Sequence, residues 1–132
     1  MYIRQFTSRL LAQIAVWLLV AHAAVAGEPS RYQLVMYEQN GCHYCERWLA
    51  EIGPTYPKTA EGQIAPLRMV NIHDTQPTDL SPKTPPVFTP TFVLMDNGHE
   101  VARIEGYPGE ELFWWMMGTM IRDTVEPQPD AD

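Results

Sequence analysis

Cysteine is scarce in this chain: of 132 residues only Cys42 and Cys45 are cysteines. A closed zinc site needs four ligands, and no second cysteine pair exists to complete one. As a staple the pair would close so short a loop that it would constrain little of the unfolded chain. Positive charge is scarce too. Nine Lys and Arg stand against sixteen Asp and Glu, a formal net charge of −7. No basic cluster is present to neutralise phosphates, which argues against nucleic acid as a partner. The acidity reads as a solvated surface. Internal repeats are missing. The longest apolar run, residues 10–21 broken only by Gln13, is shorter than the ~20 residues that span a bilayer comfortably. What is there is 45% hydrophobic, one domain's worth of chain with material for a core.

The apolar run belongs to a leader. Residues 1–9 carry Arg4 and Arg9 and no acid, and the run is followed by His22-Ala23-Ala24-Val25-Ala26. A basic start, a short apolar stretch and a small-x-small ending make a secretory signal peptide, with cleavage expected after Ala26. A retained membrane anchor is the alternative. Cleavage removes both arginines and takes the formal charge from −7 to −9. The expected layout is a signal peptide over 1–26, one domain over 27–125 and a disordered acidic tail over 126–132. Export puts the two thiols in an oxidising compartment. There a dithiol stays reduced only if something supplies electrons.

In the mature chain, residues 31–38 read as a strand with apolar residues on both sides, as inside a sheet. Gln39-Asn40-Gly41 is a turn. A helix runs from Cys42 to about Ile52, with Trp48, Leu49 and Ile52 at helical spacing and Gly53-Pro54 as its stop. Residues 55–64 are polar and irregular, with room for a short helical piece. A second strand covers 65–72, and a proline-containing loop covers 74–86. A third strand over 91–95 and a fourth over 100–104 flank the hairpin turn Asp96-Asn97-Gly98. Residues 106–109 break the chain. A last helix spans 110–121 with Leu112, Phe113, Trp115, Met116 and Ile121 on its apolar face. Glu110 and Glu111 sit in its first turn, where the dipole favours acids. The sum is an α/β layer: a strand–helix–strand unit, then an antiparallel hairpin and a helix.

That order puts Cys42-His43-Tyr44-Cys45 after a strand and at a helix start, the setting of a dithiol redox pair. Residues three apart on a first turn lie on one face, within bonding reach. Cys42 meets free backbone amides and the positive end of the dipole, both of which stabilise a thiolate. Cys42 is therefore the expected nucleophile. Cys45, one turn in, is the resolving thiol. His43, if cationic, would favour the thiolate further; as a neutral exposed residue it would have no special role. Tyr44 shapes the rim.

These features match the core of a thioredoxin fold: a central mixed four-stranded sheet flanked by helices. The chain resembles, more closely, the SoxS-type periplasmic thioredoxins of bacterial sulfur-oxidation systems. The resemblance runs over about residues 31–121. It is carried by Glu51-Ile52-Gly53-Pro54-Thr55-Tyr56-Pro57-Lys58-Thr59, Ala65-Pro66-Leu67-Arg68, Phe88-Thr89-Pro90-Thr91-Phe92-Val93-Leu94 and Arg103-Ile104-Glu105-Gly106-Tyr107-Pro108-Gly109. It implies a periplasmic thiol–disulfide oxidoreductase without a cofactor. It also implies a partner with a reactive cysteine, the carrier of the sulfur-oxidation complex, and a membrane thiol transporter as electron donor. Pro90 would take a cis bond against the dithiol, and Thr89 before it would offer backbone groups to an extended peptide. Two departures stand out. His-Tyr replaces Gly-Pro between the cysteines, and Met36 occupies the position of a buried carboxylate six residues before Cys42. Glu38, two residues on and on the same side of the strand, either takes over as proton acceptor for Cys45 or is a plain surface acid.

The rival reading is a copper-binding module. Two thiolates hold Cu(I), and His43, His73, His99, Met116, Met117 and Met120 are soft or borderline ligands. Methionines at helical spacing beside Trp114 and Trp115 more often pack a core, and His73 and His99 read as solvated loop residues. No metal is assigned. The direction of electron flow is not encoded in the residues themselves.

Overall fold

The sheet is built from the four β-rich runs, with the most apolar at its centre. In a computed structural model, which describes residues 30–125, β1 (Tyr32–Glu38) lies between β2 (Leu67–Asn71), parallel to it, and β3 (Thr91–Asp96), antiparallel to it. The fourth strand, β4 (His99–Glu105), closes the order β2-β1-β3-β4. Leu34 stands opposite Leu67 on one side and Leu94 on the other. Side chains alternate between the faces of a strand, so a central strand needs apolar residues at every position. Leu34, Val35 and Met36 of β1 and Phe92 to Met95 of β3 are all buried. The hairpin turn carries positive φ at both Asn97 and Gly98, as a tight two-residue turn requires. Gly98 has a second reason to be glycine: a Cβ there would run into the Asp79 carbonyl. The expected signal peptide over 1–26 and the acidic tail over 126–132 lie outside the described residues.

The helices, α1 (His43–Glu51), α2 (Ala60–Ile64) and α3 (Glu110–Val125), pack on one face, with a 3₁₀ turn (Tyr56–Lys58) before α2. Their shared core joins Leu34 and Met36 of β1, Phe92 and Leu94 of β3, Ile104 of β4, Trp48, Ile52, Tyr56, Phe113 and Met117. Trp48 is its hub. Its ring lies 5.1 Å from Phe92, 5.6 Å from Phe113 and 6.0 Å from Tyr56, centre to centre. Tyr56 is buried and donates its hydroxyl to the Ala65 carbonyl at 2.8 Å. Burial raises the Tyr56 phenol well above its ordinary range, so it stays a donor.

Two expectations about α3 need correcting. The helix runs on to Val125, and its buried face is Phe113, Met117, Met120 and Ile121. These fall at i, i+4, i+7 and i+8, one stripe of a helix. Leu112 and Trp115, expected on that stripe, are 48% and 65% exposed. Phe113 sets the phase: once it docks between Phe92 and Trp48, Trp115 is turned about 200° away. Trp114 is partly buried and stacks on Tyr56 at 6.1 Å.

The opposite face of the sheet carries Val35, Tyr37, Val70, Val93 and Met95, with Ile72 and Leu80 packed against them. Residues 72–90 cross it without a helix. Polar contacts hold that crossing in place. Arg68 pairs with Asp79 at 2.6 Å, and Ser81 exchanges backbone bonds with Gly98 and Glu100. Glu100 accepts the Lys83 N–H at 2.6 Å and two bonds from Arg103, which also donates to the Thr84 carbonyl at 2.8 Å.

Candidate active site

The strand order brings three chain segments to one edge of the sheet. Parallel pairing sets the ends of β1 and β2 side by side, and antiparallel pairing sets the start of β3 beside them. The turn leaving β1, the turn leaving β2 and the residues entering β3 therefore meet where α1 begins.

Cys42 is the N-cap of α1. Its backbone is extended, and its sulfur accepts the Cys45 N–H at 3.2 Å. The Cys42 N–H donates to the Gln39 carbonyl at 3.3 Å, and the Cys42 carbonyl accepts from Glu46 at 3.0 Å. Cys42 thus takes the place usually held by Ser, Thr, Asn or Asp, with its sulfur among the first amides of a helix. The two cysteines are joined as a disulfide, Cα to Cα 5.2 Å. Both are nearly buried, but unequally: Cys42 is 8% exposed and Cys45 2%. Both belong to the core cluster that also holds Trp48 and Met36.

The Thr89–Pro90 bond is cis. Pro90 is buried and Thr89 partly so. Both line a cleft of about 350 Å³ with Tyr44, Glu105, Gly106, Tyr107 and Pro108. Tyr44, which stands between the two cysteines, is exposed on its rim. Exposed His43 packs edge-on against Tyr44, rings 5.5 Å apart. Among the described residues, the Thr89 main-chain N–H and C=O make no hydrogen bond, while the Pro90 carbonyl is taken by the Gly106 N–H at 2.7 Å. Glu38 ends β1 on the same side as Met36 and is partly buried. Its side chain has no hydrogen-bond partner among the described residues, and it does not line the cleft.

Sequence reasoning passed over two groups here. Tyr107 walls the cleft and donates its hydroxyl to Glu51, near the end of α1, at 2.6 Å. Burial first, and then this bond to Glu51, raise the Tyr107 phenol above its usual range. The same bond and Arg47 hold the Glu51 carboxyl low. This contact fastens the dithiol helix to the loop after β4. Gln39 is the second group. Its amide donates to Thr89 Oγ1 at 2.9 Å, and its carbonyl oxygen meets His73 Nε2 at 2.8 Å. Neither residue carried a signal, because a Tyr in a breaker segment and a Gln in a turn match no spacing rule.

The candidate copper ligands are dispersed. Met117 and Met120 pack in the core. His73 binds Gln39, and His99 opens β4. Among the described residues no three His, Cys, Asp or Glu side chains converge. Nor is any helix among them long and apolar enough to cross a membrane.

A family model described as a thioredoxin-like domain matches residues 20–121. Among solved structures the chain is similar to the periplasmic thioredoxin SoxS from Paracoccus pantotrophus, in its reduced form. The two are 50% identical, over 68% of this chain and 95% of that one, with a TM-score of 0.67. A thioredoxin-fold protein from Helicobacter pylori is similar in fold alone, at 20% identity, 76% and 75% coverage and a TM-score of 0.51. Comparison with curated protein sequences finds no match. With the family model covering most of its length and a paired Cys42 and Cys45 at a helix start, the chain belongs to the thioredoxin-like family and is a protein thiol–disulfide oxidoreductase.

Proposed function

We propose that the protein is an exported dithiol reductant that keeps a reactive cysteine of a periplasmic partner usable. The observation that carries the dithiol chemistry is the asymmetry of the pair: Cys42 caps α1 with an N–H aimed at its sulfur, and Cys45 lies deeper behind it; the reducing direction rests on the family resemblance. Likeness to a periplasmic thioredoxin supports the compartment. The sulfur-oxidation carrier is the partner that the sequence resemblance favours, with a membrane thiol transporter as donor.

In the reduced protein Cys42 is the thiolate. The Cys45 N–H and the helix dipole both stabilise it. It attacks one sulfur of the partner's disulfide. A Cys42–partner S–S bond forms, and the partner's other sulfur leaves as a thiolate and takes up a proton. Cys45 then gives up its proton and attacks Cys42 Sγ. The Cys42–Cys45 bond closes, and the partner's second sulfur leaves and is protonated. Two electrons and two protons reach the partner, and the protein ends in the disulfide form seen here. A donor of two electrons must reopen it.

Glu38 is the candidate acceptor for the Cys45 proton. It shares a strand side with Met36, is partly buried and has no competing partner among the described residues. His43 modulates the thiolate from its exposed position beside Cys42. Thr89 binds the partner: its unengaged main-chain groups offer pairing to an extended segment as an added strand. Pro90 and Tyr44 shape the surface on which that segment lies.

Trapping tests this reading. With Cys45→Ser the resolving step is blocked, so Cys42 holds its partner as a stable mixed disulfide that mass spectrometry identifies. The expected catch from a periplasmic extract is a protein with a reactive cysteine. No trapped partner, together with tight stoichiometric Cu(I) binding by the wild type, would shift the assignment to metal delivery.

A further inference from the structure

Gln39 joins all three chain segments that meet at the active edge. Its main-chain carbonyl takes the N–H of Cys42. Its side-chain amide donates to Thr89 Oγ1, just ahead of Pro90 and β3, at 2.9 Å. Its side-chain oxygen meets Nε2 of His73, just after β2, at 2.8 Å. An amide oxygen only accepts, so His73 is the donor in that contact. The amide is then pinned: with its oxygen on His73, its NH₂ group points at Thr89. His73 is itself steadied, since its main-chain N–H donates to Asn71 Oδ1 at 2.9 Å. Gln39 and Thr89 are part-buried, where such bonds compete less with water.

Thr89 needs such a tie. Residues 72–90 cross the sheet without a helix, and neither main-chain hydrogen-bonding group of Thr89 has a partner among the described residues. The contact with Gln39 is the one hydrogen bond that Thr89 makes among the described residues.

We infer that Gln39 is a positioning residue. It holds the partner-binding backbone of Thr89 at a fixed place relative to Cys42, and His73 orients it for that task. The inference rests on the reading of Thr89 as the partner-binding position. It sets how well an extended peptide is presented to the sulfur, not how reactive the sulfur is.

The test compares two substrates in the full-length chain: a short cysteine peptide in mixed disulfide with glutathione, and 4,4′-dithiodipyridine, which needs no strand pairing. Gln39→Met keeps the length of the side chain and loses both bonds. Losing one part-buried bond of this kind should lower kcat/KM for the peptide about tenfold, chiefly through KM. The rate with dithiodipyridine should stay within about twofold, because Cys42 keeps its own stabilising bond. His73→Ala leaves Gln39 in place but unpinned, and should cost about threefold with the peptide alone. Unchanged peptide kinetics in both variants would overturn the inference. So would an equal fall with both substrates, which would mean general disruption of the edge. A wild type that reduces dithiodipyridine but not the peptide would overturn the reading of Thr89, and this inference with it. A wild type inactive on both would overturn the reductant reading itself.

Discussion

Glu100→Ala should unfasten the crossing that covers the second face of the sheet. Glu100 is nearly buried, its side chain 4% exposed. It accepts Arg103 Nε at 2.7 Å, Arg103 Nη2 at 2.6 Å and the Lys83 N–H at 2.6 Å. Burial alone would raise this carboxyl. The bonds from Arg103 and Lys83 outweigh that and hold it below its ordinary value. Removing one partner of a buried pair costs ~3–5 kcal/mol. Arg103 keeps the Thr84 carbonyl and some water, so the low end applies, about 3 kcal/mol. At ~4 °C or more per kcal/mol for a domain of this size, Tm should fall by about 12 °C or more. Glu100→Gln keeps the shape and one acceptor for Arg103 but turns an NH₂ group toward the Lys83 N–H. It should cost about 2 kcal/mol. Because the folded carboxyl titrates below its unfolded value of ~4.3, the stabilisation is present above that pH and fades as pH falls through the folded value. The gap between wild type and Glu100→Gln in urea unfolding should therefore be full at pH 7 and shrink below about pH 4. A loss under 1 kcal/mol in Glu100→Ala, on the scale of an exposed pair, would refute the reasoning. So would a gap that persists undiminished in acid.

Other outcomes follow from the same geometry. Met117→Ala should cost about 3 kcal/mol in chemical denaturation, while Trp115→Ala should stay within about 0.5 kcal/mol; reversed values would mean that the phase of α3 is misassigned. Glu38→Gln should leave the first attack of Cys42 unchanged and slow closure of the Cys42–Cys45 bond about tenfold near pH 7, read by rapid-quench mass spectrometry. Equal closure rates would make Glu38 a plain surface acid.

Much of the fold was legible because its signals were local. The central position of β1 follows from apolar residues on both of its sides. The hairpin follows from Asn97-Gly98, and the end of α1 from Gly53-Pro54. Cys42 as a helix N-cap could be read from its place between a turn and the spacing of Trp48 and Ile52. The face of α3 was not legible, because residues 112–117 are apolar all round, Leu-Phe-Trp-Trp-Met-Met. Every phase of such a run looks amphipathic, and only the docking of Phe113 against Trp48 and Phe92 selects one. The role of Glu100 was hidden for the opposite reason. An acid in an edge strand reads as solvent-facing, and its burial depends on Arg103 of the same strand and on Lys83, brought over it by the crossing segment seventeen residues earlier. Gln39 is similar, since its meaning lies in strand order, which brings His73 and Thr89 to its two ends.

The central claim is that Cys42 attacks and Cys45 resolves. Its most direct test is mass spectrometry of the reduced Cys45→Ser and Cys42→Ser proteins after brief reaction with one peptide disulfide. The account expects a stable Cys42–peptide adduct in the first and slow or no adduct in the second, whose remaining thiol is the more deeply buried of the two. Rapid adduct formation at Cys45 in the second, or equal rates in the two, would contradict it.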